Sequence, residues 1–217
     1  MSLDNTRGVN PALDPFRERL LRAILGHVGF DGWTGRAVRR AMVDLGEEPA
    51  DALLMFPGGA TEMIEAWSLL MDREMVATSQ GGQLEAHRIS ARVRSIVMIR
   101  LELCAWHRDA ARRAVAILAL PTNASLAFRL IWNTADAIWR AAGDTSSDFS
   151  WYTKRVMVAG VYWSTLLFWL QDGSEDNQDT MSFLDRRLRE TGQVAKLRKT
   201  LEQCVSGLMR SAPSPFA

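Results

Sequence analysis

Residues 143–172 read GDTSSDFSWYTKRVMVAGVYWSTLLFWLQD, and this stretch decides the fold class. Its first part is rich in Gly, Asp, Thr and Ser, which is typical of the loop before a helix. The fifteen residues from Val156 to Leu170 include no charged residue, and Asp172-Gly173 follows as a stop signal. A bilayer span needs about 20 residues, so this run is too short to be one. It predicts an apolar helix that is either buried on every side or lines an apolar cavity.

The first turn of this helix carries a different message. Trp151 and Tyr152 stand beside Lys154 and Arg155, where core aromatic residues are less expected. One interpretation is that the two rings fold back onto neighbouring helices. The other is an exposed docking patch for a partner, because Trp and Tyr dominate the hot spots of protein interfaces.

The rest of the chain is also helical in pattern. Only seven of its 217 residues are proline, and apolar residues recur with a period near 3.6. We therefore predict an all-α protein of about ten helices. Short helices over 15–60 form a head that resembles a helix-turn-helix, longer helices over 61–190 form the body, and a last helix occupies 192–210.

Composition sets limits on partners and compartment. The chain is 47% apolar with a net charge of +1, which by itself favours neither nucleic acid nor an acidic surface as a partner. Cys104 and Cys204 lie in apolar helical context and are expected to be core thiols in a reducing compartment. The first fourteen residues match neither a signal peptide nor a transit peptide. A cytosolic protein, or a trimmed organellar one, is expected.

The sequence contains no recognisable catalytic constellation. A di-iron centre in a helical bundle uses Glu-x-x-His pairs, but none of His27, His87 and His107 has Glu three residues before it. No phosphate-binding Gly-rich loop and no Gly-x-Ser-x-Gly motif is present. Asp136 is isolated among apolar residues and is either a polar anchor or the acid of a hydrolase or isomerase. We predict no metal, no cofactor and no enzymatic activity.

The head is too acidic for a typical DNA-binding domain. The segment from Ala41 to Asp72 has seven carboxylates and no Lys or Arg. Its candidate recognition helix, over 47–56, would bring three carboxylates to the phosphates, whereas binding to DNA depends on neutralising cations. Arg36, Arg39 and Arg40 of the preceding helix are interpreted as a solvated face. Nucleic acid is therefore not a predicted partner.

The last helix is amphipathic and cationic. Lys196, Arg198, Lys199 and Arg210 flank its apolar stripe. Such a helix can lie in a membrane interface, or its stripe can pack on the body or on a second subunit. The residues of the stripe, which are the predicted membrane contacts, are Val194, Leu197, Leu201, Val205 and Leu208.

Four motifs resemble one known family. They are FDGW at 30–33, FPGGATE at 56–62, AGDTSSDFSWYTKR at 142–155 and FLDRR at 183–187. The sequence is similar here to the ubiquinone-biosynthesis accessory family whose members are called coenzyme Q biosynthesis protein nine. The likeness covers about residues 15–190, and the 143–155 block is its most specific part. Ser150 stands where the family pattern has Asn, and both residue types cap helices.

The resemblance implies a fold and a set of contacts. The family has the fold of tetracycline-repressor-type regulators with a vestigial helix-turn-helix, and forms homodimers through its C-terminal body. Members bind lipids, including isoprenoid quinone intermediates, and associate with membrane through an amphipathic C-terminal helix. Their Trp-Tyr pair, which meets the demethoxyubiquinone hydroxylase, matches Trp151 and Tyr152, and a nearby acid matches Asp148.

The residue patterns and the family resemblance together predict that the protein presents a lipid to a partner. The protein would take up an isoprenoid quinone or a phospholipid at the membrane and pass the quinone head group to the hydroxylase. Met157, Val161 and Phe168 are the predicted lipid contacts. The expected location is the cytoplasmic face of a bacterial inner membrane, or the mitochondrial matrix side in a eukaryote. A ligand-responsive transcriptional regulator of the tetracycline-repressor type is the alternative.

Overall fold

The computed structural model of the chain describes residues 14–80, 88–144 and 150–192. These ranges contain nine α-helices and no strand, which confirms the all-α prediction. In chain order the helices are α1 (Pro15–Asp31), α2 (Gly35–Asp44), α3 (Ala52–Met55), α4 (Gly59–Ser79), α5 (Ile89–Glu102), α6 (Arg108–Leu118), α7 (Ala124–Ala141), α8 (Ser150–Trp169) and α9 (178–192).

The chain divides into two compact units. Of the described residues, those up to Ala77 and those of Glu102–Leu130 form the first unit, and those of Thr78–Leu101 and from Ile131 onward form the second. Each unit is therefore built from two separate stretches of sequence. The predicted division into a head, a body and a C-terminal helix is of a different kind, and it remains a prediction.

The core of the first unit forms around one face of α1. Leu20, Ile24 and Val28 are all fully buried, as their spacing of four residues predicts. The turn after α1 is closed by Trp33, whose indole Nε1 donates to the carbonyl oxygen of Ala110 at 3.1 Å. The Trp33 ring also lies 5.4 Å from the ring of Trp67, between centroids. These contacts join α1 and α2 to α4 and α6.

The candidate recognition helix is shorter than its sequence predicts. The predicted single helix over 47–56 is replaced by a 3₁₀ turn at Pro49–Asp51 followed by the one-turn helix α3. Pro49 lacks an amide hydrogen and begins the turn, while the Glu48 side chain accepts a hydrogen bond from Ala50 N at 3.3 Å. Leu53 and Leu54 are exposed on α3. A recognition helix of ordinary length is therefore missing from this part of the described chain.

Helix α8 is the main apolar element of the second unit, but it is packed on one face only. Its buried residues recur at helical spacing, and they include Val158, Thr165 and Trp169. On the other face the side chain of Val156 is 60% exposed. Of the two predicted alternatives, burial on every side does not describe α8 in the single chain, because Val156 is exposed; the other alternative, that α8 lines an apolar cavity, stays a prediction.

The joint between α8 and α9 is organised by the buried carboxylate of Asp172. Its Oδ1 accepts from Ser174 N at 2.8 Å, and its Oδ2 accepts from Thr180 N at 2.9 Å and from the Thr180 hydroxyl. Burial alone would raise the pKa of Asp172, but these hydrogen bonds outweigh it and hold the pKa well below the ordinary value. The negative charge also lies near the positive end of α9.

Asp172→Asn is expected to lower the free energy of unfolding by about 2 kcal/mol at pH 7, because the amide replaces a charged acceptor by a group with donors of its own. Since the folded state depresses the pKa, the stabilisation is present above the ordinary value of 3.8 and is lost as pH falls below it. Urea unfolding of both proteins between pH 7 and pH 3 measures this. The exposed Asp176→Asn is the control, and a difference that does not shrink below pH 4 contradicts the assignment.

The helices were compared with the length and hydropathy that a membrane span requires. Within the described ranges, no individual helix is both long and apolar enough to cross a bilayer, although the bent pair Ala105–Leu118 and Pro121–Ala141 passes by length and composition when taken together. The predicted membrane contacts from Val194 to Leu208 lie outside the described residues.

Candidate functional site: an aromatic patch on an ion cluster

Three aromatic rings meet at the start of α8. The rings of Trp151 and Tyr152 are 4.7 Å apart between centroids and lie edge to face. Trp132 of α7 lies 6.0 Å from Trp151 and 6.1 Å from Tyr152. These distances are within the range at which aromatic pairs attract one another. We call Trp132, Trp151 and Tyr152 the aromatic patch.

The sequence left two interpretations of the Trp-Tyr pair, rings folded onto neighbouring helices or an exposed docking patch. Each describes one of the two rings. Tyr152 is 61% exposed, as a docking patch requires, whereas Trp151 is half-buried between Trp132 and Arg155. Helical geometry explains the difference, because successive residues on a helix point about 100° apart. Trp151 therefore faces α7, and Tyr152 faces solvent.

A cluster of charged side chains lies under the aromatic patch. Arg155 is buried, and its Nε donates to Asp136 Oδ1 of α7 at 2.6 Å. Lys154 Nζ lies 2.8 Å from Asp144 Oδ1, and Arg155 Nη1 lies 3.8 Å from Asp144 Oδ2. The Trp139 indole donates to the carbonyl oxygen of Lys154 at 2.8 Å. These four charged residues, the ion cluster, join the end of α7 to the first turn of α8.

Asp136 has the contacts of a structural anchor. Its Oδ2 lies 3.0 Å from Arg140 Nε, so the carboxylate contacts two guanidinium groups, those of Arg140 and Arg155. A general acid needs access to a reacting group and a proton to give. Both carboxylate oxygens of Asp136 are engaged by guanidinium groups, which favours the anchor interpretation over the catalytic one.

Gly143 lies just after the end of α7. Its φ of +81° lies in the left-handed region, and its amide donates to the carbonyl oxygen of Arg140 at 3.0 Å. A Cβ on this residue would lie 2.9 Å from Arg92 Nη1, which itself donates to the carbonyl oxygen of Ala142 at 3.0 Å. The positive φ therefore favours glycine, and a methyl group here would force the end of the Arg92 side chain to move.

Gly143→Ala is expected to lower the free energy of unfolding by about 1–2 kcal/mol, because alanine is strained at positive φ and its methyl group displaces Arg92. Gly160→Ala is the matched control: Gly160 lies inside α8, and no atom outside its own helix turn lies within 4 Å of the place that a methyl group would take. Alanine there should stabilise the helix by about 0.5–1 kcal/mol. Urea unfolding measures both, and equal effects of the two substitutions would contradict the proposed role of Gly143.

An open groove runs beside the other end of α8. It has a volume of about 350 Å³ and is lined by apolar residues of α8 and α9 together with the polar residues of the joint. The rings of Phe168 and Phe183 are stacked in its wall, with centroids 4.5 Å apart and planes 11° apart. The groove offers a flat aromatic surface next to polar groups such as Ser164 and Gln171.

The predicted site residues are distributed unevenly. Of the predicted lipid contacts, Phe168 lines the groove, Val161 is buried in the core and Met157 is half-buried. Asp148 lies outside the described residues. Sequence reasoning missed Trp132 as a member of the patch, although its place on the preceding predicted helix was visible. Within the described ranges, no group of three or more His, Cys, Asp or Glu residues is arranged to hold a metal ion.

Comparison with known proteins places these features in a family. The COQ9 family model matches residues 124–195, which include the aromatic patch and the groove. The chain is 34% identical over 211 residues to the rat protein named ubiquinone biosynthesis protein COQ9, mitochondrial, with 92% of this chain and 67% of the rat protein covered. The human protein of the same name is 32% identical over 210 residues, with 92% and 66% covered. The chain thus spans about two thirds of the length of these relatives.

A solved structure supports the fold independently. The crystal structure of a TetR transcriptional regulator from Nitrosomonas europaea matches with a TM-score of 0.67, covering 83% of this chain and 99% of the regulator. At 21% identity this likeness shows the fold alone. The predicted tetracycline-repressor-type fold is therefore confirmed. The relatives above establish that the chain belongs to the COQ9 family.

Proposed function

We propose that this protein is a non-enzymatic accessory protein of ubiquinone biosynthesis. It binds an isoprenoid quinone intermediate or a phospholipid and presents the quinone to the demethoxyubiquinone hydroxylase. The observation that carries the proposal is the aromatic patch, with Tyr152 exposed, which the ion cluster holds on a helix whose outer face is partly open and apolar. The names of the relatives supply the pathway.

The aromatic patch has the properties of a docking surface. Tyr152 is 61% exposed yet sits against Trp151 and Trp132, so little side-chain entropy is left to lose on binding. Val156, one turn further along α8, is 60% exposed and extends the apolar surface. Clusters of exposed aromatic and aliphatic side chains mark protein interaction sites. The family resemblance supports the hydroxylase as the partner in this proposal.

The groove beside α8 and α9 is the best candidate for contact with the lipid. A volume of about 350 Å³ lies within the range of ligand sites. Lifting an isoprenoid chain from a bilayer requires apolar contacts that replace about 0.8 kcal/mol per CH₂. The stacked Phe168 and Phe183 rings supply such contacts, and the polar joint at Asp172 lies beside them.

Location and assembly follow the family. We place the protein as a homodimer at a membrane surface, in the cytoplasm of a bacterium or on the matrix side of a mitochondrion. The relatives are named as mitochondrial proteins, which agrees with the second location. The apolar stripe from Val194 to Leu208, with the cations that flank it, would make the membrane contact.

A DNA-binding role is the weaker candidate, although the fold is that of a regulator. The one-turn helix α3 presents Leu53 and Leu54 to solvent, and the segment around it carries carboxylates and no Lys or Arg. Contacts to phosphate need cations. A gel-shift assay at low salt with the upstream DNA of its own gene is expected to show no saturable binding.

Phe168→Arg tests the lipid assignment. Organic extraction of the purified wild-type protein, followed by mass spectrometry, is expected to recover an isoprenoid quinone or a phospholipid. The variant should retain several-fold less, because a charge in the groove opposes an apolar tail. Phe30→Arg is the control, since Phe30 is 82% exposed and lies outside the groove. Recovery of no lipid from repeated wild-type preparations would count against the proposed function.

A further inference from the structure

Arg155 occupies an unusual position for an arginine. It is 3% exposed, although arginine side chains are almost never fully buried unless they are paired. It follows Trp151 by one helical turn, and its guanidinium carbon lies 3.8 Å from the centroid of the Trp151 ring. That distance is van der Waals contact between the guanidinium group and the indole face, whereas the guanidinium carbon of Arg17 lies 4.8 Å from the Phe56 ring.

The guanidinium group is itself held by hydrogen bonds. Its Nε donates to Asp136 at 2.6 Å, and its Nη1 donates to the carbonyl oxygen of Trp151 at 3.3 Å. Asp144, whose side chain is 5% exposed, lies 3.8 Å away. Charge-assisted hydrogen bonds of this kind fix the orientation of the guanidinium plane, since its donors form a rigid planar fork.

The indole in turn supports the exposed ring. Trp151 lies between Arg155 and the other two members of the aromatic patch, with Tyr152 at 4.7 Å and Trp132 at 6.0 Å. If the indole loses its support, the ring of Tyr152 gains alternative orientations. Ordering those orientations on binding costs free energy, which weakens association.

We propose that Arg155 is a positioning residue of the docking surface: it fixes the Trp151 indole by stacking and thereby presents Tyr152 in the orientation that the partner binds. This inference rests on the proposed docking function. Arg155 does not touch the partner. A lysine in its place would keep the charge but lose the planar stacking surface. Arg155→Lys should therefore impair docking if Arg155 positions the indole, and should have little effect if only its charge matters.

The experiment uses protein labelled with 5-fluorotryptophan and compares Arg155→Lys with wild type. Fluorine NMR reports the chain's eight tryptophans, and Trp151→Phe assigns the Trp151 resonance. We expect Arg155→Lys to shift or broaden that resonance while the resonances of Trp33 and Trp67 stay in place. Affinity for the hydroxylase is expected to fall about tenfold. Arg94→Lys is the matched control. Arg94 Nε donates to Asp185 Oδ1 at 2.6 Å, and this pair is not part of the aromatic patch.

An unchanged Trp151 resonance in Arg155→Lys overturns the proposal, and so does a changed resonance with unchanged hydroxylase affinity. If Arg155→Lys does not fold, Asp136→Asn serves instead, since it releases the guanidinium group and should shift the same resonance. A third outcome is that wild-type protein does not bind the hydroxylase, while Arg155→Lys still shifts the Trp151 resonance. The docking function and the role of Arg155 in docking are then both wrong, but Arg155 still fixes the indole ring.

Discussion

Tyr152→Lys is expected to weaken association with the demethoxyubiquinone hydroxylase by about 100-fold, equivalent to about 2.7 kcal/mol. Tyr152 is the most exposed member of the aromatic patch, at 61% exposure, and truncation of a central aromatic anchor costs about 2 kcal/mol or more in many interfaces. The lysine would also bring a second cation beside Lys154 into an interface that excludes water. Titration of the hydroxylase against labelled protein, by calorimetry or anisotropy, gives the dissociation constant.

The fold should survive this substitution. Surface changes away from buried contacts usually alter the free energy of unfolding by less than about 0.5 kcal/mol. Trp106→Lys is the control, because it replaces another aromatic residue that is 94% exposed and outside the patch. It should leave hydroxylase affinity unchanged. Equal losses in the two variants would mean that general charge repulsion governs binding, and an unaffected Tyr152→Lys would remove the patch from the interface.

The positions of the helices follow largely from local sequence. Pro15 begins α1, Gly143 ends α7 at positive φ, and Asp172-Gly173 follows the end of α8, each within a few residues of its predicted place. Such signals act through backbone geometry within one turn, so they do not depend on the rest of the fold. The predicted helix over 47–56 is wrong in its first part, because Pro49 begins a 3₁₀ turn there.

The arrangement of the site depends on contacts that periodicity does not encode. Trp132 and Trp151 are nineteen residues apart in sequence, and their contact arises only when α7 and α8 pack side by side. Burial of Arg155 is likewise set by Asp136 and Asp144 on the preceding helix and turn. An apolar helix such as α8 also has no polar face to show which side is covered. The Trp-Tyr pair itself was recognisable, because large aromatic residues beside two cations are uncommon in a core.

Trp169→Ala is expected to lower the free energy of unfolding by about 3–5 kcal/mol, the largest effect on stability among the substitutions considered. Trp169 is the last residue of α8, and its side chain is fully buried. Removing it leaves a cavity that the neighbouring side chains fill only in part. Trp106→Ala is the matched control, since the same change at 94% exposure should cost less than about 0.5 kcal/mol. Urea unfolding of the three proteins measures the difference.

The same variant separates the stability of α8 from its docking function. Trp169 lies seventeen residues after Tyr152, or about 26 Å along one helix. At a temperature where Trp169→Ala remains folded, its affinity for the hydroxylase should therefore be close to that of wild type, whereas Tyr152→Lys should show full stability and lost affinity. If Trp169→Ala instead weakened docking as strongly as Tyr152→Lys while still folded, the surface that binds the partner would have to extend along the whole of α8, and the aromatic patch would be only one end of it.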